Sequence, residues 1–113
     1  NEIAMQKAAA VLIGKHDFTS FRAKHCQALS PEKTIGDITV NRIEDEIQIF
    51  AEAKSFLHHQ VRNIVGTLKL VGEGRWTEQD VIRILKAKDR SIAGPTAPAA
   101  GLYFAGADYD DNY

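Results

Sequence analysis

The feature that most limits the fold of this chain is a run of apolar residues at helical spacing: Leu57, Val61, Ile64, Leu68 and Val71, widened by Val65. A helix with one apolar face must bury it against another layer. The spacing predicts a helix from Phe56 to about Gly72, with Ser55 placed to cap it. The residues before it supply the second layer. Between Thr34 and Ile43 the pattern alternates, with Ile38 and Val40 on one face and Ile35 and Ile43 on the other. Between Glu46 and Ala53 it alternates again, with Ile47, Ile49, Ala51 and Ala53 set against Gln48 and Glu52. Only Glu44 and Asp45 separate the two stretches, so they are expected to pair as an antiparallel hairpin. Phe50 interrupts the polar side and points to at least partial cover on the second face. The helix is expected to lie on this sheet and to supply much of the core.

The chain opens with a further helix, in which Met5, Ala8, Ala9 and Leu12 recur at helical spacing and Gly14 is the expected stop. A structured turn around Phe18 leads to Phe21. Another helix is expected from Glu78 to about Lys88: Thr77 caps it, Asp80 completes a capping box, and Trp76 packs on Val81 as a hydrophobic staple. Pro95 and Pro98 stiffen the small-residue connection that follows, and Leu102 to Ala105 reads as a short last strand. The order is α-β-β-α-α-β: one α+β domain with an antiparallel or mixed sheet covered by helices. A length of 113 residues, 44% hydrophobic and 26% charged, suits one compact domain.

No apolar run reaches transmembrane length, and no stretch has the layout of a signal peptide. Cys26 is the single cysteine, so an intrachain disulfide is excluded. The formal net charge of -1 argues weakly against nucleic-acid binding for the chain as a whole. The charge is unevenly spread, however. Arg22, Lys24, His25 and Lys33 face only Glu32 between Phe21 and Lys33, while Asp108, Asp110 and Asp111 crowd the end. A local basic face fits under a neutral total.

Arg62 falls beside the apolar stripe, and His58 and Lys69 fall near the same line. Two readings stand: an arginine in a cleft whose basic neighbours meet phosphates, or a boundary arginine snorkelling over the core. His58 and His59 are adjacent and point about 100° apart on a helix, so they do not share a face as metal ligands would. Neither His16 with Asp17 nor His25 with Cys26 forms a nucleophilic pair. Gly72, Gly74 and Arg75 lack the length and ending of a phosphate loop. Phe18, Phe21 and Arg22 read either as an aromatic-basic surface for a nucleobase or as core. Composition and spacing by themselves name no reaction.

Three segments, in order, resemble the TruA family of tRNA pseudouridine synthases: MQKAAAVLIGKHDFTSFR from Met5 to Arg22, FLHHQVRNIVG from Phe56 to Gly66, and DRSIAGPTAPAAGLYFAGADY from Asp89 to Tyr109. The resemblance covers nearly the whole chain. It implies that residues 1–113 are the C-terminal domain of an enzyme converting uridines at positions 38 to 40 of the tRNA anticodon arm to pseudouridine. The family fold has two similar α/β halves with RNA in a positively charged cleft. Its members act as cytoplasmic homodimers without metal or organic cofactor, one tRNA contacting both subunits.

On that pattern Arg62 is the arginine that pairs with a catalytic aspartate, and Phe56 and Leu57 lie on the approach to its helix. Leu102 matches an apolar position near the target base, and His58 falls at the pocket edge or on the RNA side. His16, Asp17, Phe18, Phe21 and Arg22 match a loop that positions RNA or the other subunit, with Lys24 and Lys69 as basic neighbours. Gln60 stands where the family often has methionine, and nothing here matches the segment carrying the catalytic aspartate. The tyrosine of the base pocket also belongs to the unmatched half, so Tyr103 does not take that role. The isolated chain is therefore expected to show no turnover. The alternative is a non-catalytic domain that binds RNA or another protein.

Overall fold

In the computed structural model, residues 1–22, 31–53, 56 and 59–98 are described. Helix α1 spans Glu2–Ala10, and the Asn1 side chain caps it by accepting from the Ile3 and Ala4 amides at 3.1 Å each. Tighter turns carry the chain from Ala10 to Ile13, and Gly14, at φ 102°, redirects it. There the expected turn proves to contain a strand. β1, Gly14–Asp17, pairs with the start of the next strand before a 3₁₀ turn at Thr19–Phe21. Its four residues carry no apolar alternation, so only pairing with a neighbour defines it.

β2 (Glu32–Ile43) and β3 (Glu46–Ala53) form the expected hairpin, with Glu44 at φ 56° in the turn. The sheet is antiparallel in the order β1-β2-β3. One expectation is corrected. Ile35 and Ile38, assigned to opposite faces by strict alternation, are both buried, at 1% exposure each. The register shifts between Ile35 and Asp37, and one extra residue at a bulge reverses which face the following side chains take. Phe50 remains 53% exposed, so the described residues cover it only in part.

Helix α2 spans Gln60–Gly72 and begins later than the apolar spacing suggests. His59 occupies its N-cap in the left-handed conformation, at φ 61°, and its carbonyl accepts the Asn63 amide at 2.9 Å. Ser55 and Leu57, expected in the first turn, lie outside the described residues. Helix α3 (Glu78–Ala87) starts at the expected capping box: the Thr77 side chain accepts from the Asp80 amide and the Asp80 carboxylate accepts from the Thr77 amide. A second 3₁₀ turn, Arg90–Ile92, leads into the proline-containing loop. The expected strand from Leu102 to Ala105 lies outside the described residues.

The core joins Met5 and Ala8 of α1, and Leu12 just beyond it, to Ile35, Ile38 and Val40 of β2, and to Ile64, Leu68 and Val71 of α2. Val81 and Ile84 of α3 complete it together with Phe18 and Phe21. α1, rather than α2, seals the part of β2 that β1 leaves open. The Gln6 amide donates to the Ile38 carbonyl at 2.9 Å and accepts from the Val40 amide at 2.7 Å, as a paired strand would. α1 also presses against the end of α2. A methyl group on Gly72 would come within 2.6 Å of the Met5 sulfur. Between α2 and β3 a groove remains, lined by Ile47, Ile49, Val65 and Lys69. No helix among the described residues is long and apolar enough to cross a membrane.

Candidate functional site

The buried face of α2 is not the apolar stripe alone. Gln60, Asn63, Gly66 and Thr67 are buried beside Ile64, Leu68 and Val71, whereas Val61 and Val65 are only half-buried. The burial is rotated toward the polar side because the loop after α3 lies flat across it. Gly66 permits that contact: a Cβ there would stand 1.6 Å from the Pro95 carbonyl oxygen. Gly94 permits it from the other side, since its own Cβ would meet the Thr67 Cα at 2.8 Å.

Directed hydrogen bonds complete this seam. The Gly94 amide donates to Thr67 Oγ1 at 3.0 Å. Asn63 Nδ2 donates to the Phe21 carbonyl at 2.7 Å, and its Oδ1 accepts from both Thr96 Oγ1 and Arg90 Nη2, at 2.5 and 3.0 Å. Arg90 also donates through Nη1 to the Gly94 carbonyl at 2.9 Å and through Nη2 to Thr96 Oγ1 at 3.1 Å. Burial alone lowers the Arg90 pKa, yet a guanidinium stays charged across the working pH range.

Arg62 lies on the far side of α2 from the core, on the same side as the exposed Lys69 two turns on. It is half-buried because the loop reaches around to it. The Ala97 amide donates to the Arg62 carbonyl at 3.0 Å, and Arg62 Nε donates to the Ala97 carbonyl at 2.8 Å. Among the described residues, its two terminal amino groups have no hydrogen-bond or ion-pair partner. A side chain held at Nε, with both terminal groups unengaged among the described residues, is set to receive two oxygens of one carboxylate or phosphate.

The other expected residues are distributed differently. Phe18 and Phe21 are fully buried at 0% exposure, packed edge to face with each other, so their rings are not a platform for a base. Their mixed polar surroundings in sequence hid this, because three-residue spacing fits both a core pair and an exposed pair. His16 hydrogen-bonds the Ile13 carbonyl at 2.9 Å and meets Phe18 edge-on. Asp17 accepts from the Thr19 amide and hydroxyl, at 2.9 and 2.6 Å. Burial pushes the Asp17 carboxyl up, but these bonds, with Lys88 and Arg22 nearby, outweigh it and hold the group below its ordinary value.

His16 and Asp17 share a surface groove with Lys86 and Lys88, neither of which the sequence singled out. Arg22 is half-buried. Phe56 is half-buried against the core. Lys24, Leu57, His58 and Leu102 lie outside the described residues.

Asn63, Gly66, Thr67, Arg90 and Thr96 escaped the sequence reading. The available signal was Asn63 and Thr67, one helical turn apart around a glycine and next to the apolar Ile64 and Leu68.

A family model described as tRNA pseudouridine synthase matches residues 8–110. Curated relatives agree with it. The chain is 66% identical over 106 residues to a tRNA pseudouridine synthase A of Rhodospirillum centenum, covering 94% of this chain and 43% of that protein. It is 58% identical over 106 residues to the protein of that name from Paramagnetospirillum magneticum, covering 94% of this chain and 41% of the relative. With the one from Rhodospirillum rubrum it shares 63% identity over 100 residues, covering 88% of this chain and 36% of the relative. The chain thus spans roughly two fifths of the length of the curated relatives it matches.

Proposed function

Since this chain belongs to the tRNA pseudouridine synthase family, we propose that it is the C-terminal, arginine-bearing part of an enzyme that isomerises uridine to pseudouridine in the tRNA anticodon arm, at positions 38 to 40. In that reaction the uracil leaves the ribose, turns and rejoins through C5. The observation that carries the reading is the state of Arg62: clamped to the loop at Nε, with two terminal amino groups unengaged among the described residues. An aspartate supplied by the rest of the enzyme would meet that fork. A carboxylate paired in this way stays ionised beside an uncharged base.

The remaining assignments follow from this centre. Phe56, Leu57, His58 and Leu102 border the base. Lys69, Arg22 and Lys24, with the loop of His16 and Asp17, face RNA or a second subunit, and Lys86 and Lys88 add charge beside that loop. Phe18 and Phe21 support the loop from within the core. The working enzyme is a cytoplasmic homodimer.

The test is pseudouridine formation on anticodon-arm tRNA by the full-length polypeptide, its Arg62→Ala variant and this chain alone. The expected result is an active full-length protein, a variant slowed by about a hundredfold or more, and an inactive fragment. A correctly folded full-length protein without activity would transfer the assignment to RNA binding without chemistry. Turnover by the fragment alone would refute the division of the catalytic groups.

A further inference from the structure

We infer that Arg90 and Thr96, acting through Asn63, are positioning residues for Arg62: they fix the loop whose Ala97 carbonyl holds the Arg62 side chain. This rests on the function proposed for Arg62. Ala97 grips residue 62 at two points, one on the main chain at 3.0 Å and one on the side chain at 2.8 Å. Wherever the Ala97 peptide sits, the guanidinium follows. Ala97 lies between Thr96 and Pro98, and the Thr96 hydroxyl is engaged in both senses, donating to Asn63 Oδ1 and accepting from Arg90 Nη2. Asn63 is the next residue of α2 after Arg62 and is anchored at its other end to the Phe21 carbonyl. The brace therefore refers the loop back to the same helical turn that carries Arg62.

Arg90 makes no ion pair among the described residues. Its acceptors are neutral: the Gly94 carbonyl, Asn63 Oδ1 and Thr96 Oγ1. A partly buried cation without a carboxylate is costly, so attraction between charges does not explain it. Its geometry does. A planar fork spans the loop from Gly94 to Thr96 while touching α2, which the single ammonium of a lysine cannot do. The competing role for a basic residue in such an enzyme is contact with an RNA phosphate. Both Arg90 terminal nitrogens are already bonded inward, which favours the brace.

The test uses the full-length polypeptide, with single-turnover rate at saturating tRNA and tRNA Kd measured separately. Arg90→Lys and Thr96→Val are expected to slow the step by about tenfold to a hundredfold, as a misplaced group does, with Kd changed by no more than about twofold. Thr96→Ser, which restores the hydroxyl, should recover most of the rate. Thr96 is exposed, so its variants test the brace even where Arg90→Lys disturbs folding. In an Arg62→Lys background, which has no Nε for Ala97 to hold, Arg90→Lys should add less than about a twofold loss.

Three outcomes would overturn the inference: wild-type rates in both brace variants, an equal further loss in the Arg62→Lys background, or a weakened Kd with a salt slope reduced by about one. Wild-type turnover by Arg62→Lys and Arg62→Ala would instead remove the proposed role of Arg62 itself. Loss in those variants with brace variants unaffected would remove only the brace.

Discussion

On one side of α2, Ile64, Leu68 and Val71 meet apolar side chains of the core; on the other, Gly66 and Thr67 meet the backbone of a loop and Asn63 meets its Arg90 and Thr96 side chains. The first contact is built from area. It is non-directional, and its strength scales with the apolar surface removed from water. The second is built from close approach and aimed hydrogen bonds, each modest in net energy but costly to leave unmade once buried. A helix fastened in both ways gains most of its stability from one side and its exact placement of a neighbouring side chain from the other. Arg62 stands at the edge of the second contact, where position matters more than burial.

Truncating the apolar side should cost the most. Leu68→Ala is expected to destabilise the chain by about 2–5 kcal/mol, read by denaturant unfolding with Trp76, the single tryptophan, as the fluorescent probe. A loss under about 1 kcal/mol would mean that the two sides share the load more evenly than their chemistry suggests. Gly66→Ala strikes the seam instead. The new methyl meets the Pro95 carbonyl, the loop must lift, and the cost is about 1–3 kcal/mol. Amide exchange should quicken at Gly94 and Ala97 while the α1 and β2 amides keep their protection. Uniform loss of protection would erase the distinction between the sides.

Thr67→Val keeps the shape and removes one hydrogen bond, stranding the Gly94 amide. Its expected cost is about 1 kcal/mol, with faster exchange confined to Gly94 and its neighbours. The smallest effect concerns pH. Among the described residues, no carboxylate contacts the seam, so acid should act on it only through its supports. Asp17 accepts from the first amide of the turn that ends at Phe21, whose carbonyl accepts from Asn63. Its pKa is lowered on folding, so its contribution is present above the unfolded value near about 3.9 and fades as pH falls through the lower folded value. Asp17→Asn should therefore lower stability modestly near neutrality and flatten the acid limb, the variant and the parent converging as pH falls below the folded value. An NMR titration placing the Asp17 midpoint above the ordinary range would reverse that sign.

Much of the frame was legible beforehand. The hairpin from Thr34 to Ala53, the capping box of Thr77 and Asp80, and the inward set of Met5, Ala8, Ala9 and Leu12 are all local patterns that the structure repeats. Arg62 and the proline-containing loop came from resemblance rather than periodicity, which left Arg62 open between cleft and boundary. Other features were not legible. β1 is a strand because β2 pairs with it, and its own residues do not alternate. The bulge at Gly36 moves Ile35 onto the face of Ile38, a register choice made by the partner strand. Phe18 and Phe21 fit either a surface or a core until three elements enclosed them.

By itself, the sequence determined the three helices and the hairpin of β2 and β3 to within a few residues, where α3 is capped, and which apolar side chains need cover, because those properties depend on neighbours a few positions apart. Tertiary structure decided which layer supplied the cover. It set α1 along the open edge of β2 and laid the loop across Asn63, Gly66 and Thr67. It turned three hydrophilic or featureless positions into a buried seam, and tied Ala97 to Arg62. The physical reason is that a polar side chain is buried only when its partners arrive with it, and those partners lie 27 to 42 positions away along the chain.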